Sequence, residues 1–204
     1  MTLLYLDDHR IESLLDVPAC TSVLDEAFID LARGQATVQS RQRSDCGGVK
    51  LSTMGALWSA HQVAGVKAYT TVGGQFSFLV TLFDTAANRP VALLEANALT
   101  RLRTAALTCM VATKALRADA RKLALFGAGQ QGRAQAEALC ALRSFDEVAV
   151  VDPQASAAWC DQLAARHGCR VVVCEPRAAL DGVHLVVTAT RSKTPVFEGA
   201  CLEP

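Results

Sequence analysis

The sequence predicts an α/β protein in two parts: an α+β region over residues 1–117 and a parallel-sheet domain over residues 118–204. Three observations predict it. Residues 49–95 hold several strand-like runs with little helix among them. Residues 122–188 alternate strand and helix patterns, which builds a parallel sheet through crossover connections. The composition, 51% hydrophobic and 20% charged over 204 residues, is that of a globular chain.

Taken in order, Leu3 to Leu6 is a short apolar strand, and Asp7 or Asp8 caps a brief helix through Leu14 and Leu15. From Pro18 a second helix places Val23, Leu24, Ala27, Phe28 and Leu31 on one face, and Gly34 supplies its stop. Residues 39–48 are polar and read as a loop carrying Arg41 and Arg43. The strands Val49–Met54, Val66–Val72, Phe76–Asp84 and Val91–Glu95 follow, with turns at Gly73-Gly74 and Asn88-Arg89-Pro90. They suggest an antiparallel or mixed sheet. A long helix capped by Thr100 runs through Leu116, and the domain boundary is expected in the polar stretch Arg117–Arg121. Beyond it come a buried strand Lys122–Phe126, a helix over 130–143 and a strand Val148–Val151. A helix over 154–166, a strand Arg170–Cys174, a short helix and a strand Val183–Thr188 complete the pattern.

Charge and composition exclude several classes. Lys plus Arg and Asp plus Glu both total 20, without the basic excess a nucleic-acid binder shows. No apolar run approaches the ~20 residues of a membrane span. The start meets Asp7-Asp8 too early for a secretion signal. The eight cysteines contain no C-x-x-C pair and read as reduced thiols serving as small hydrophobes in a cytoplasmic protein, with no metal site.

The motif that carries chemistry is Gly127-Ala128-Gly129-Gln130-Gln131-Gly132, placed after the strand Leu123–Phe126 and opening a helix. In that context the first glycine permits a tight turn, the second lets the backbone approach a pyrophosphate, and the third lets helix and strand pack closely. The phosphate charge then meets the unpaired N–H groups of the helix. This is the fingerprint of a Rossmann-type dinucleotide-binding domain. Asp152 ends the next strand about 20 positions past Gly132, where a carboxylate accepts hydrogen bonds from a ribose and repels a 2′-phosphate. NAD is therefore expected, with NADP as the alternative. Asp152 also reads as an N-cap for the following helix. Thr188-Ala189-Thr190, at the carboxyl end of the fourth strand, reads either as a contact to ribose or nicotinamide or as an ordinary loop. In the first region Lys67, Arg103, Arg41 and Arg43 are candidate anion hooks; Arg103, in the first turn of the long helix, could grip a substrate carboxylate or touch the pyrophosphate, and each of the four also reads as a surface charge. Lys67 sits among apolar strand neighbours, where a partly buried ammonium has a depressed pKa and moves protons readily.

The stretch Ala98-Leu99-Thr100-Arg101-Leu102-Arg103-Thr104-Ala105-Ala106, with Leu125 to Gln135, closely resembles the ornithine cyclodeaminase/μ-crystallin family. Gly65-Val66-Lys67 and Leu82-Phe83-Asp84 fit it in order, so the resemblance covers essentially the whole chain. It implies a dimerising substrate domain joined to a Rossmann domain, acting with NAD(P) on the C–N bond of α-amino and cyclic imino acids. Carried over by position, Arg41 or Arg43, Lys67 and Arg103 would hold the substrate carboxylate. Thr104 and residues 127–132 would cradle the cofactor phosphates, and Lys67 would be the catalytic proton carrier.

Three departures qualify that likeness. Cyclodeaminases carry an acid two places before the methionine matching Met54, where this chain has Ser52. The segment Thr70–Phe78 differs from the ornithine-specific loop. Both favour a pyrroline-2-carboxylate-type imine reductase or an amino-acid dehydrogenase over ornithine cyclisation to proline and ammonia. Finally, family members continue past a segment like Pro195–Pro204 into a turn with a catalytic aspartate, and only four Rossmann strands are counted here. The expectation is thus an incomplete Rossmann domain. Neither Asp84 nor Asp152 replaces the missing acid, and a dinucleotide-binding chain without turnover is a further reading. The expected partners are a small amino or imino acid and a second copy of the chain in a homodimer.

Overall fold

A computed structural model describes residues 3–202; Met1, Thr2, Glu203 and Pro204, at the ends of the first and last segments read above, lie outside the described residues. The strands are β1 (Leu4–Leu6), β2 (Ala36–Val38), β3 (Gln42–Cys46), β4 (Val49–Trp58), β5 (Val63–Val72), β6 (Gln75–Asp84) and β7 (Arg89–Glu95), then β8 (Lys122–Phe126), β9 (Glu147–Val151), β10 (Arg170–Val173) and β11 (Leu185–Thr188). The helices are α1 (Asp8–Leu14), α2 (Val17–Ala32), α3 (Asn97–Ala115), α4 (Gln130–Leu142), α5 (Ala157–His167) and α6 (Pro176–Leu180). Two compact units, Met1–Arg103 and Thr104–Pro204, divide the chain inside α3. The polar stretch 117–121, expected to mark the boundary, follows the end of that helix.

The first unit is built on a seven-stranded sheet of order β1-β7-β6-β5-β4-β2, with β3 pairing β4 beside that path. β1 runs parallel to β7 and the other pairs are antiparallel, a mixed sheet as the turn chemistry suggests. Alternation along β4, β5 and β6 gives the sheet two different faces. One face carries Ser52, Lys67, Tyr69, Phe78 and, nearer β7, the core formed by Ile11, Ala92, Leu94 and Ala98 with Val80 and Leu82. The other face presents Val49, Leu51, Leu57, Val66, Val72 and Leu79, all exposed.

Three expectations change here. Residues 42–46, read as loop, form β3: Gly47 and Gly48, at φ 58° and 79°, make the two-residue turn that joins it to β4. All five β3 side chains are exposed, so no apolar alternation betrays the strand. α3 begins at Asn97 rather than after Thr100. Its first turn is capped from a distance by Asp8, whose Oδ1 accepts from the Ala98 N–H at 2.8 Å and Oδ2 from Asn97 Nδ2 at 2.8 Å. Thr100 is a buried residue inside the helix. The apolar face expected on α2 is largely uncovered, with Val23, Phe28 and Leu31 exposed.

The second unit holds a parallel four-stranded sheet of order β10-β9-β8-β11. The central strand β8 is the core: Leu123, Leu125 and Phe126 are essentially without solvent exposure. Their neighbours include Val148, Ala149 and Val150 of β9 and, on α6, Ala179 and Leu180. Strand order reverses at β8, with β9 and β10 on one side and β11 on the other. Ligands of open α/β sheets sit at the carboxyl ends of strands beside such a reversal. Among the described residues no helix is long and apolar enough to cross a membrane.

Candidate functional site

In the second unit the glycine segment turns out of β8 at that reversal. Gly127 adopts φ 92°, which L side chains rarely do, and a Cβ there would lie 2.6 Å from the Ala189 carbonyl oxygen. A Cβ on Gly132 would overlap the Gly127 carbonyl oxygen, so only glycine lets α4 start this close to the strand end. Gly129 differs: a Cβ on it would meet open space. It is the N-cap of α4 and supplies no side-chain cap, which leaves the first-turn amides at Gln130 and Gln131 to an outside acceptor. A turn closed on two sides and open at the helix mouth fits a dinucleotide pyrophosphate, because the amides and helix dipole converge on the open side.

Asp152 and residues 188–190 come to the same place. Asp152 Oδ2 accepts the Ala128 N–H at 2.7 Å and its Oδ1 accepts from the Gln154 N–H at 2.8 Å. It is not the N-cap of α5, which is Ser156. Thr188 pairs with Phe126 in the sheet, and the Ala189 N–H donates to the Phe126 carbonyl at 2.8 Å. Thr190 Oγ1 accepts from the Ser192 N–H at 3.0 Å. Thr104 lies on α3, where its carbonyl accepts from the Thr108 hydroxyl. Arg133, part of the segment that carries the family resemblance but given no role by the sequence, donates from Nε to the Ala128 carbonyl at 2.7 Å.

In the first unit the helix-packed face of the sheet gathers cations. Register aligns Arg43 with Ser52, Ser52 with Tyr69, and Tyr69 with Phe78 across four strands, and Lys67 stands two residues from Tyr69 on the same face. Lys67 is half-buried. Its ammonium donates to Thr100 Oγ1 at 2.6 Å and lies 4.2 Å from the Phe78 ring centroid. Thr100 in turn donates to the Ala96 carbonyl at 2.5 Å. Burial first, and then the like charges of Arg103 and Arg41, pull the Lys67 pKa from 10.5 to about 8. The Arg103 pKa is lowered the same way, by desolvation and by Arg41.

Arg43 is engaged elsewhere: its Nε donates to Ser52 Oγ at 3.0 Å and Nη2 reaches the Tyr69 hydroxyl at 3.4 Å. Burial pushes the Tyr69 hydroxyl upward. Hydrogen bonds to Ser52 and Arg43, with the charges of Arg41 and Arg43, outweigh it and leave that pKa below the ordinary tyrosine value. Tyr69, Phe76 and Phe78 form one aromatic cluster, with Phe76 and Phe78 stacked at 5.5 Å. The sequence does not single out Tyr69, Phe78 or Thr100 as site residues, because strand register brings Phe78, and the packing of α3 brings Thr100, to Lys67 beside Tyr69. Asp84 serves a turn, its Oδ1 accepting from the Ala86 and Ala87 N–H groups at 2.9 Å. Glu26, Asp30 and His61 gather their ligand atoms within 4.8 Å of one another. His61 contacts Glu26 and Asp30 accepts from the Trp58 indole, so these groups already serve neighbours.

Comparison with known proteins finds relatives in sequence and in fold over most of the chain. A delta(1)-pyrroline-2-carboxylate/delta(1)-piperideine-2-carboxylate reductase of Azospirillum brasilense is 30% identical over 205 residues, covering 94% of this chain and 64% of the relative. An ornithine cyclodeaminase of Agrobacterium fabrum is 34% identical over 143 residues, or 68% of this chain and 40% of that protein. Among solved structures, a probable ornithine cyclodeaminase from Bordetella pertussis Tohama I superposes with a TM-score of 0.95 at 42% identity, covering 98% of this chain and 65% of that one. The chain thus spans less than two thirds of the length of these relatives. The model of the ornithine cyclodeaminase/mu-crystallin family matches residues 3–204, and the chain belongs to that family.

Proposed function

We propose that the protein is an NAD(H)-dependent oxidoreductase acting on the C–N bond of a small cyclic imino acid or α-amino acid, with reduction of a pyrroline-2-carboxylate-type ketimine as its leading reaction. The observation that carries this reading is the Lys67 ammonium, half-buried among Arg41, Arg103 and aromatic rings with its pKa drawn to about 8. Similarity over 94% of the chain to a reductase of that class supports it.

In this reading Arg41 and Arg103 hold the substrate carboxylate, and Arg43 holds the Ser52–Tyr69 wall beside them. Lys67 gives its proton to the substrate nitrogen as the C=N bond becomes an amine, and a pKa near working pH suits that task. Thr100 fixes the direction of the amine, and Phe78 and Tyr69 shield it from water. Residues 127–132, with Thr104, Asp152 and residues 188–190, would hold a nicotinamide coenzyme, which when bound would supply the hydride. Asp152 favours NAD over NADP, because its carboxylate repels a 2′-phosphate.

Likeness to cyclodeaminases favours a second reading, conversion of ornithine to proline and ammonia. Against it stands Ser52, a buried hydroxyl bonded to Arg43, at the position where the family resemblance implies an acid in a cyclodeaminase. We also infer a homodimer, because six exposed aliphatic side chains share one face of β4, β5 and β6. A cytoplasmic location, where cysteines stay reduced, fits the eight thiols. The test is turnover of the protein with NADH and pyrroline-2-carboxylate, followed by NADH fluorescence. Steady loss of NADH is expected. Ammonia release from ornithine without net coenzyme change would favour the cyclodeaminase reading instead.

A further inference from the structure

Arg133 follows the last glycine of the fingerprint, and its side chain turns back over the first turn of α4 to bond the Ala128 carbonyl at 2.7 Å. The guanidinium lies 5.3 Å from the Trp159 ring in a cation–π contact. Trp159 is buried near the start of α5, so the arginine is held from behind. On the opposite side of the same residue, the Ala128 N–H is bonded to Asp152 at 2.7 Å. Both polar groups of Ala128 are therefore tied to charged side chains, and hydrogen bonds of that kind are roughly twice as strong as neutral ones.

The consequence follows from peptide geometry. A trans peptide points its C=O and the next N–H in opposite directions. The bond from Arg133 to the Ala128 carbonyl therefore sets the direction of the Gly129 N–H, on the far side of that peptide plane. Gly129 is the residue at the α4 mouth with open space beside it, and glycine tolerates rotation of the adjoining peptide more readily than any other residue. A flip of that plane would replace an N–H donor with a carbonyl oxygen at the mouth of an anion site.

We propose that Arg133 is a positioning residue that locks the Ala128–Gly129 peptide, so that the Gly129 N–H joins the first-turn amides of α4 in holding a coenzyme pyrophosphate. This rests on the coenzyme-binding reading above. It assigns to a side chain outside the glycine motif the preorganisation usually credited to the glycines alone. Trp159 is the backing plate and Asp152 the second anchor.

The test compares wild type with Arg133→Met, which keeps a long apolar stem against Trp159 but has no N–H donor, and with Arg133→Lys. Both are titrated with NADH, and thermal melting is recorded alongside. Wild type is expected to bind. Arg133→Met should bind on the order of tenfold more weakly with a near-normal melt, and Arg133→Lys should recover part of the loss. In parallel, the Gly129 amide resonance of unmutated protein is followed as NADH is added, and it should shift strongly at saturation. Equal NADH affinity in wild type and Arg133→Met overturns the role of Arg133 and leaves the coenzyme reading intact. A Gly129 amide that does not respond at saturation overturns it too, even if the methionine variant fails to fold. Absence of NADH binding by folded wild type would instead remove the coenzyme reading itself.

Discussion

Lys67 shows how one residue's chemistry depends on its neighbours. Its folded-state pKa of about 8 lies below the ordinary 10.5 because burial, Arg103 and Arg41 all disfavour the ammonium. Between those two values the unfolded chain binds more protons than the native one, so this residue makes stability rise with pH across that window. Buried thiols such as Cys109 and Cys140, with raised pKa values, pull the other way at high pH, so the test is the difference: in urea unfolding the stability of wild type relative to Lys67→Met should rise across that window. The variant Arg103→Met should move the Lys67 titration upward without restoring 10.5, since the larger cause, burial, remains; NMR of the ζ-amine reads this directly. As a proton donor Lys67 should also make turnover fall as pH rises through about 8. The lysine itself was legible in the sequence, as a basic residue in an apolar strand. Its company was not. Tyr69 and Phe78 read as ordinary strand aromatics, and Thr100 as a helix cap. Only register, with Tyr69 opposite Phe78, and a helix starting at Asn97 turn them into the walls around an amine.

Among the elements, the turn from β8 into α4 is where sequence and structure agree best, because Gly127 and Gly132 have local steric reasons that a motif encodes, while Gly129 leaves the helix mouth open. Two substitutions separate those reasons. Gly132→Ala places a methyl on the Gly127 carbonyl and should destabilise the unit by ~2 kcal/mol or more, the range of overpacked cores. Gly129→Ala meets open space at φ −71°, a conformation alanine accepts, so its melt should stay close to wild type. Its methyl nevertheless stands at the helix mouth, and NADH affinity should fall on the order of tenfold, or about 1.4 kcal/mol. Equal effects of the two changes on stability would contradict this division of roles. Elements whose determinants are distant were the ones misread. β3 has no buried side chain to pattern it, and α3 takes its cap from Asp8, some ninety residues upstream.

At the scale of the whole molecule, the alternation of strands and helices announced the parallel sheet, whereas the order and register of the seven-stranded sheet could not be read from local signals. Nor could its two unlike faces, since alternating apolar and polar positions do not reveal which face helices will cover. The uncovered face, with Leu51 and Val66 at its centre, should mediate self-association. Sedimentation velocity should find a dimer for wild type and a shift to monomer for Val66→Lys; a monomeric wild type would remove the dimer from the account. Every role assigned to the cationic cluster presupposes that the other unit carries a nicotinamide coenzyme at the α4 mouth. Isothermal calorimetry of the folded chain with NADH tests that claim most directly. One saturable site per chain is predicted, with weaker binding of NADPH, and no heat of binding with either coenzyme would contradict it.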